Sequence, residues 1–353
     1  MNKKLLFSIP LIACLLTSCK GTVHYKEEKY EIPVQWNDRT KDFRILQLCD
    51  IHLSQSDPFE ERHMKMLHKT ISDANPNLIV LNGDSFTFAD KGVVTKLFSF
   101  IDSYDIPWTF AYGNHDDQGY YSDTYIQEIL GTKQLFKNVK FVNLQDDDVT
   151  GRSNFVINIY ERKKNSADEY ESKDLFQVYL LDSHSYNFKT MDYDSIKQDQ
   201  IDWYERMVNH ETAKVGSVVP SAMYFHIPLP EFFDAWNAAK EGKPNATVLM
   251  GTTDEFGGGP LPESDTHLFD KVEQLGSTIA ISCAHDHVND SVINYKVNGE
   301  KDIALCFGVH STDRIYYDKE KLGGQVIVIN KDNPSVLKFE NIKNSYEEVL
   351  EGK

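Results

Sequence analysis

The chain has 353 residues, 41% hydrophobic and 26% charged, the make-up of a globular protein with enough apolar material for a sizeable core. Its 54 acidic residues outnumber 37 basic ones, a formal net charge of -17 that argues against nucleic acid as a bulk partner, since phosphate backbones are bound by excess Lys and Arg. The same charge disfavours any polyanionic ligand unless the site itself is locally positive, as a pair of metal ions would make it. No long Gly/Ser/Pro linker, tandem repeat or low-complexity tract divides the chain, so one domain is expected.

At the N-terminus Lys3 and Lys4 precede an apolar run, Leu5 to Leu16, too short to span a bilayer. The run ends in Leu16-Thr17-Ser18-Cys19, which resembles the bacterial lipobox, where the leader is cut before a cysteine that receives a diacylglycerol. A plain signal peptide or an apolar N-terminal strand is the alternative. The expected organisation is a lipoprotein signal peptide over 1–18, a polar tether over 19–42 that includes Lys26, Glu27, Glu28 and Lys29, and one domain over 43–345. Losing 1–18 removes two lysines, so the mature charge becomes -17 - 2 = -19. Several acyl chains suffice for stable anchoring, which implies the bacterial cell envelope, outside the cytoplasm, with Cys19 as the membrane attachment. Of five cysteines, Cys14 leaves with the leader and Cys19 is the anchor. Cys49, Cys283 and Cys306 sit in apolar runs at spacings that match no zinc ribbon or disulfide framework, so buried free thiols are expected.

Further along, short strand-like runs recur: Phe43–Cys49, Leu78–Asn82, Trp108–Tyr112, Phe176–Leu181, Ala222–Phe225, Thr278–Cys283 and Ile303–Phe307. Helix-period segments lie between them. Asp57-Pro58-Phe59-Glu60 reads as an N-cap with proline at the first helical position and a capping-box glutamate, ahead of Met64, Leu67 and Ile71 on one face. Val94, Leu97, Phe98 and Ile101 form a second face, Ile201, Tyr204 and Val208 part of a third, and Leu268, Val272 and Leu275 a fourth. This alternation predicts an α/β architecture with a buried, partly parallel sheet, whose ligands collect beyond the carboxyl ends of the strands.

Polar clusters stand at those ends. Asp50-Ile51-His52 follows the first strand and offers a hard oxygen and a borderline nitrogen donor, although such a pair is also a common loop. Asn82-Gly83-Asp84 follows the second, and Gly83 permits a tight turn that presents the Asp84 carboxylate; alone it reads as an ordinary turn. Gly113-Asn114-His115-Asp116 follows the third, with Asp116 expected to accept a hydrogen bond from the His115 ring and fix its tautomer. His226 closes Ala222–Phe225, a position more often held by a satisfied core histidine. His285-Asp286-His287 closes Thr278–Cys283 and is a good metal pair by itself. Five of the twelve histidines lie in these clusters, and chance would have to place every one of them.

Asp-x-His, Gly-Asp, Gly-Asn-His-Asp, a lone His after a strand and a near Gly-His-x-His, in this order over residues 50 to 287, resemble the signature of calcineurin-like metallophosphoesterases. The branch related to purple acid phosphatases is most similar, through Leu181-Asp182-Ser183, Asp199-Gln200-Ile201-Asp202-Trp203-Tyr204, Phe225-His226-Ile227-Pro228-Leu229-Pro230 and His287-Val288-Asn289-Asp290. The resemblance implies a two-sheet β-sandwich flanked by helices. It implies two divalent or trivalent ions (iron, manganese or zinc): one held by Asp50, His52 and His287, the second by Asn114, His226 and His285, with Asp84 bridging. His52 stands where purple acid phosphatases carry Gly, and Thr87 where they carry an iron-binding Tyr, so the coloured tyrosinate should be missing and His52 fills the gap. Ala284 replaces a usual Gly.

The implied chemistry is hydrolysis of phosphate esters outside the cytoplasm. A hydroxide between the ions acts as nucleophile, and His115, oriented by Asp116, assists the leaving group. Asn289 and Asp290 are expected to support the ligand histidines, and His184, Tyr186 and His310 to stand near the pocket or simply in the core or on the surface. Phosphodiesterase or nucleotidase activity is an alternative within the class, and a non-catalytic binding lipoprotein is one outside it.

Overall fold

The computed structural model describes residues 26–353 apart from 38–39, 119–121, 133–134, 144–147, 166–167, 190, 257–265, 345–348 and 350–353. The expected leader and Cys19 lie outside the described residues. In chain order the strands and helices are β1 (Glu31–Gln35), β2 (Asp42–Leu48), α1 (Glu60–Ala74), β3 (Leu78–Asn82), α2 (Lys91–Asp102), β4 (Trp108–Ala111), α3 (Ser122–Gly131), β5 (Phe155–Lys164), β6 (Tyr170–Leu180), β7 (Tyr186–Asn187), β8 (Asp192–Tyr193), α4 (Gln198–Val215), β9 (Ser221–Tyr224), α5 (Pro230–Lys240), β10 (Ala246–Met250), α6 (Leu268–Leu275), β11 (Thr278–Cys283), β12 (Val292–Tyr295), β13 (Ile303–Phe307), β14 (Gly323–Asn330) and β15 (Asn333–Lys343).

Two large sheets form from them. One has the order β1-β5-β6-β9-β11-β13-β12-β10 and the other β15-β14-β2-β3-β4. The centres are parallel: β6, β9, β11 and β13 in the first, β2, β3 and β4 in the second. Apart from the exposed start of β6, these strands are largely buried, which is why they read as continuous apolar runs such as Leu78-Ile79-Val80-Leu81. Antiparallel strands flank them: β5 pairs with β6, β12 with β13 and β10, and β14 with β2 and β15; the outer ends of β5, β10 and β15 are exposed, which dilutes their apolar signal in the sequence. β15 is the clearest case, with no buried position along its length.

The sheets meet through a polar seam as well as through the core. Gln47 of β2 donates to the Cys283 carbonyl of β11 at 2.8 Å, and Asn82 of β3 donates to the carbonyl of Phe225, just past β9, at 3.0 Å. Both amides are buried, and in that setting a missing partner costs about 1–3 kcal/mol, so the seam fixes the register of one sheet on the other. It runs directly beneath the strand ends that carry the polar clusters. Cys49, Cys283 and Cys306 are free and buried, as expected.

Outside, α1 packs on β14 and β15, and α5 on β10 and β12. α1 starts at Glu60, later than the capping pattern at Asp57 predicts, and no side chain caps it. The Asp57 carboxylate is engaged elsewhere: it accepts from the Phe59 amide and meets His63 Nδ1 at 2.7 Å, and Arg314 lies 3.3 Å away.

The expected tether needs correction at its C-terminal half. Residues 26–30 form a 3-10 turn, and β1 then joins the larger sheet by pairing parallel to β5. Tyr30, Val34 and Trp36 are buried, the Trp36 ring standing 5.3 Å from Phe43 edge-on. Three apolar anchors hidden among charged residues outweigh the polar composition on which the tether was read. Replacing Trp36 by alanine should therefore destabilise the fold by about 3–5 kcal/mol, the usual cost of deleting a buried large aromatic. Urea denaturation checks this; an unchanged midpoint would mean that the segment is a free tether after all.

Candidate metal centre

The strand ends bring Asp50, His52, Asp84, His115, His226, His285 and His287 together, and Asn114 precedes His115 on the same loop. Asp50 and His52 follow β2, Asp84 follows β3, Asn114 and His115 follow β4, His226 follows β9, and His285 and His287 follow β11. All but His115 are buried, and the His115 side chain is 35% exposed. Four of them, Asp50 (φ 53°), His52 (53°), Asp84 (50°) and His285 (76°), adopt the left-handed backbone region that L residues seldom visit. Strain of about 1–3 kcal/mol at such positions persists where surrounding structure imposes it, and it concentrates at functional sites.

Asp84 is the hub. Its Oδ2 lies 3.1 Å from His226 Nε2, 3.9 Å from His52 Nε2 and 4.0 Å from His115 Nε2, while its Oδ1 accepts from the His115 amide at 2.7 Å. Asp50 Oδ1 is 3.5 Å from His287 Nε2 and 3.8 Å from His226 Nε2. Ligand atoms of Asp50, His52 and Asp84 lie within 4.8 Å of one another, as do those of Asp84, His226 and His285. Asp84 belongs to both groups, which is the position a bridging carboxylate would need.

The histidines are aimed. His226 and His287 donate from Nδ1 to the carbonyls of Asn82 (3.0 Å) and Tyr316 (2.9 Å), and His52 Nδ1 lies 2.8 Å from the Thr87 hydroxyl. Holding Nδ1 leaves Nε2 turned toward the carboxylates, the usual support for a ligating imidazole. The residues at the two positions singled out in the sequence, His52 and Thr87, thus touch each other. Thr87 holds the ring of His52.

Electrostatics set the same requirement. Burial pushes the carboxyl groups of Asp50 and Asp116 up, and neighbouring carboxylates add to it, Asp84 in both cases. Burial would raise Asp84 too, but His226 and then His52 and His115 hold it well below the usual carboxylate range. His226, depressed by burial but facing Asp84 and Asp50, is lifted to about 10. Opposite to it, burial and the charge of His226 lower His285 to about 3. Asp50 Oδ1, Asn114 Oδ1 and His285 Nδ1 are buried with no hydrogen-bond partner. Oxygen and nitrogen donors stripped of water, converging and left bare are what a pair of hard or borderline cations fits.

Asp116 does not orient His115. Its carboxylate accepts from the amides of Asp84 (2.9 Å), Phe86 (3.0 Å) and Gly113 (2.7 Å), tying the loops after β3 and β4 together. The three amides lie closer to hand than the His115 ring, whose Nδ1 is buried without a partner and whose face meets His52 at 5.1 Å. Asn289 and Asp290 do not support the histidines either. Asn289 bonds Asp286 and the amides of Asp254 and Glu255, while Asp290 accepts from Thr252 and pairs with Lys343 at 2.6 Å. His184 turns away to Gln200, and Tyr186 lies in the exposed β7–β8 hairpin. His310, by contrast, is buried against the centre, its ring 4.2 Å from His287.

A cavity of about 210 Å³ opens above the cluster, with Asp84, His115, His285 and His287 at its floor and Tyr193, Phe256, Ile315 and Tyr316 at its rim. None of its described lining residues is lysine or arginine. Tyr193 and Tyr316 pack on His285 and His287 at ring distances of 4.4 Å and 4.2 Å, contacts with no signal in the sequence because the residues lie far apart along the chain. A larger hollow of about 600 Å³ beside Lys29, Phe136 and Lys140 holds none of the clustered residues.

Sandwiched sheets with oxygen and nitrogen donors gathered at their parallel strand ends define a metallophosphoesterase architecture. Residues 43–289 match the family described as calcineurin-like phosphoesterase, and the chain belongs to that family. It is 27% identical over 339 residues to probable inactive purple acid phosphatase 29 of Arabidopsis thaliana, covering 86% of this chain and 79% of the relative. It is 27% identical over 292 residues to phosphatase DCR2 of Saccharomyces cerevisiae, covering 75% of this chain and 47% of that one. Among solved structures it aligns with a dimetal phosphatase from Danio rerio at a TM-score of 0.48 and 10% identity, over 84% of this chain and 98% of that one.

Gly113 tests how tightly the cluster is built. A Cβ there would meet the Asp84 amide nitrogen and Oδ1 at 2.3 Å, contacts that backbone cannot relieve cheaply. Gly113→Ala should displace Asp84 and lower the metal content of purified protein to less than about half, because the shared carboxylate serves both positions. Elemental analysis gives the answer, and full metal content would show that Asp84 is not the hub.

Proposed function

We propose that the protein is a two-metal phosphoesterase that hydrolyses phosphate esters outside the cytoplasm. The observation that carries this reading is the convergence of two donor groups on Asp84. Asp50, His52 and His287 would hold one ion and Asn114, His226 and His285 the other. A metal pair so held supplies Lewis acidity toward phosphoryl oxygens and an activated water near neutral pH. The oxygen-and-nitrogen donor set suits iron, manganese or zinc.

The chain's own residues then do three things. Asp84 carries negative charge between the two donor groups and sets their separation. The carboxylate of Asp116, spent on three amides, keeps Asp84 and the Asn114 loop in register. His115, the one partly exposed member, lines the cavity and would give a proton to the departing ester oxygen. With no lysine or arginine among the described lining residues, most of the phosphate charge would be met by the metal centre, which reconciles a strongly acidic protein with an anionic substrate.

His115→Ala should leave metal content near wild type and lower kcat by about 10²- to 10⁴-fold, the usual worth of positioned proton transfer. The loss should be smaller for nitrophenyl phosphate than for an alkyl phosphate, whose leaving oxygen needs the proton more. An equal loss for both would assign His115 to charge stabilisation, and loss of a metal would make it a ligand. The word inactive in the name of the plant relative favours a second reading, a phosphate-ester-binding protein without turnover. Metal-loaded wild-type protein that binds but never hydrolyses either substrate would establish it.

Lipid attachment at Cys19 completes the proposal. The first described element begins at Lys26, and six residues, 20–25, can span at most about 20 Å of chain between it and an anchor at Cys19. Cys19→Ser should move the protein from the membrane fraction to the soluble fraction with activity intact. Wild-type protein found soluble and without fatty acid would remove the anchor from the proposal.

A further inference from the structure

His310 has no place in the donor sets assigned above, yet it is built like their members. It lies past β13, where its backbone bridges Cys49 at the end of β2 on one side and Leu322 on the other. The Gly323 amide donates to its carbonyl at 2.8 Å, and the next residue, Ser311, donates to Cys49 at 3.1 Å. The side chain is fully buried. Nδ1 gives its proton to the Thr312 carbonyl, so Nε2 carries a lone pair, and that atom has no partner in the protein. Leaving such an acceptor dry and unbonded is unfavourable, and a native core seldom does it without a reason.

Two further observations say what the lone pair faces. Ring nitrogens of His52, His287 and His310 lie within 4.8 Å of one another, with His52 Nε2 and His287 Nε2 only 3.1 Å apart. The His310 ring stacks on His52 at 6.3 Å and tilts against His287 at 4.2 Å. The device that holds it, a carbonyl on Nδ1 that frees Nε2 to face the cluster, is the one that aims His226 and His287. A third imidazole packed beside two candidate ligands, oriented in the same manner, is poorly explained as core filling, since an apolar side chain would fill the space without a stranded acceptor.

We propose that His310 is a further nitrogen donor to the ion held by Asp50, His52 and His287. This rests on the two-metal reading above and deepens it. The two positions then differ in kind. One is ringed by three imidazoles and the carboxylates of Asp50 and Asp84; the other has two imidazoles, the Asn114 amide and Asp84. Nitrogen-rich surroundings favour zinc or iron over manganese at the first position. With His310 bound, that ion also has fewer places left for oxygens from outside the protein, so a phosphate ester would rest chiefly on the second.

The test uses mature wild-type protein and His310→Gln, each loaded with cadmium-113. Wild type should show a pair of cadmium resonances, and in His310→Gln one should move toward the region of fewer nitrogen donors while the other stays. EDTA should also withdraw one of the two ions at least about tenfold faster from the variant, the scale on which support of a metal site is felt. Both resonances and both release rates unchanged would overturn the proposal while leaving the two-metal reading intact. Wild-type protein that takes up no cadmium or zinc would overturn that reading and this one together. Should the variant fail to fold, a crystal structure of zinc-loaded wild-type protein decides: His310 Nε2 at about 2.0–2.1 Å from the ion supports the assignment, and a ring outside bonding distance refutes it.

Discussion

Three carboxylates, Asp50, Asp84 and Asp116, are buried together where the parallel strands of two sheets end, and much of the structure answers to that constraint. Like charges in a dry setting repel unless hydrogen bonds or cations meet them. Asp116 is met by three amides, and Asp84 by His226 with His52 and His115 farther off. Burial and the Asp84 charge still push the carboxyls of Asp50 and Asp116 up, although His287 and His226 pull Asp50 back and two of the amides pull Asp116 back. Cations placed between the two donor groups would resolve what the protein alone does not.

The fold supplies the rigidity that such a cluster needs. Gln47 and Asn82 bind one sheet to the other just below the carboxylates. Gly83 permits His226 to approach closely, since a Cβ there would meet Nδ1 at 2.4 Å. From the far side, His63 lies between Asp57 and Asp313 at 2.7 Å and 2.8 Å, and Arg314 reaches back to the His52 carbonyl at 3.2 Å. The left-handed conformations of Asp50, His52, Asp84 and His285 are thus held from several directions at once.

Much of this was legible in the sequence because parallel strands write themselves as apolar runs and the donors sit directly after them. Leu78–Asn82, Thr278–Cys283 and Ile303–Phe307 have the expected boundaries, and Asp50, His52, Asp84, His226, His285 and His287, which follow β2, β3, β9 and β11, lie close together. What stayed hidden depends on contacts without a local signature. β1 is a short edge strand whose anchors, Val34 and Trp36, are diluted by polar neighbours. Proximity in sequence pairs Asp116 with the histidine beside it, whereas backbone amides after β3 and β4 take its carboxylate. His310 stands alone in its segment, and only the packing of three rings sets it apart.

The central claim is that two ions share Asp84, and electron paramagnetic resonance of the manganese-loaded mature protein addresses it most directly. Two manganese ions joined by one carboxylate should be spin-coupled and give a broad multiline spectrum at a loading of two per chain. A six-line spectrum of isolated ions at full loading, or no uptake of manganese, zinc or iron under any condition, would contradict the account.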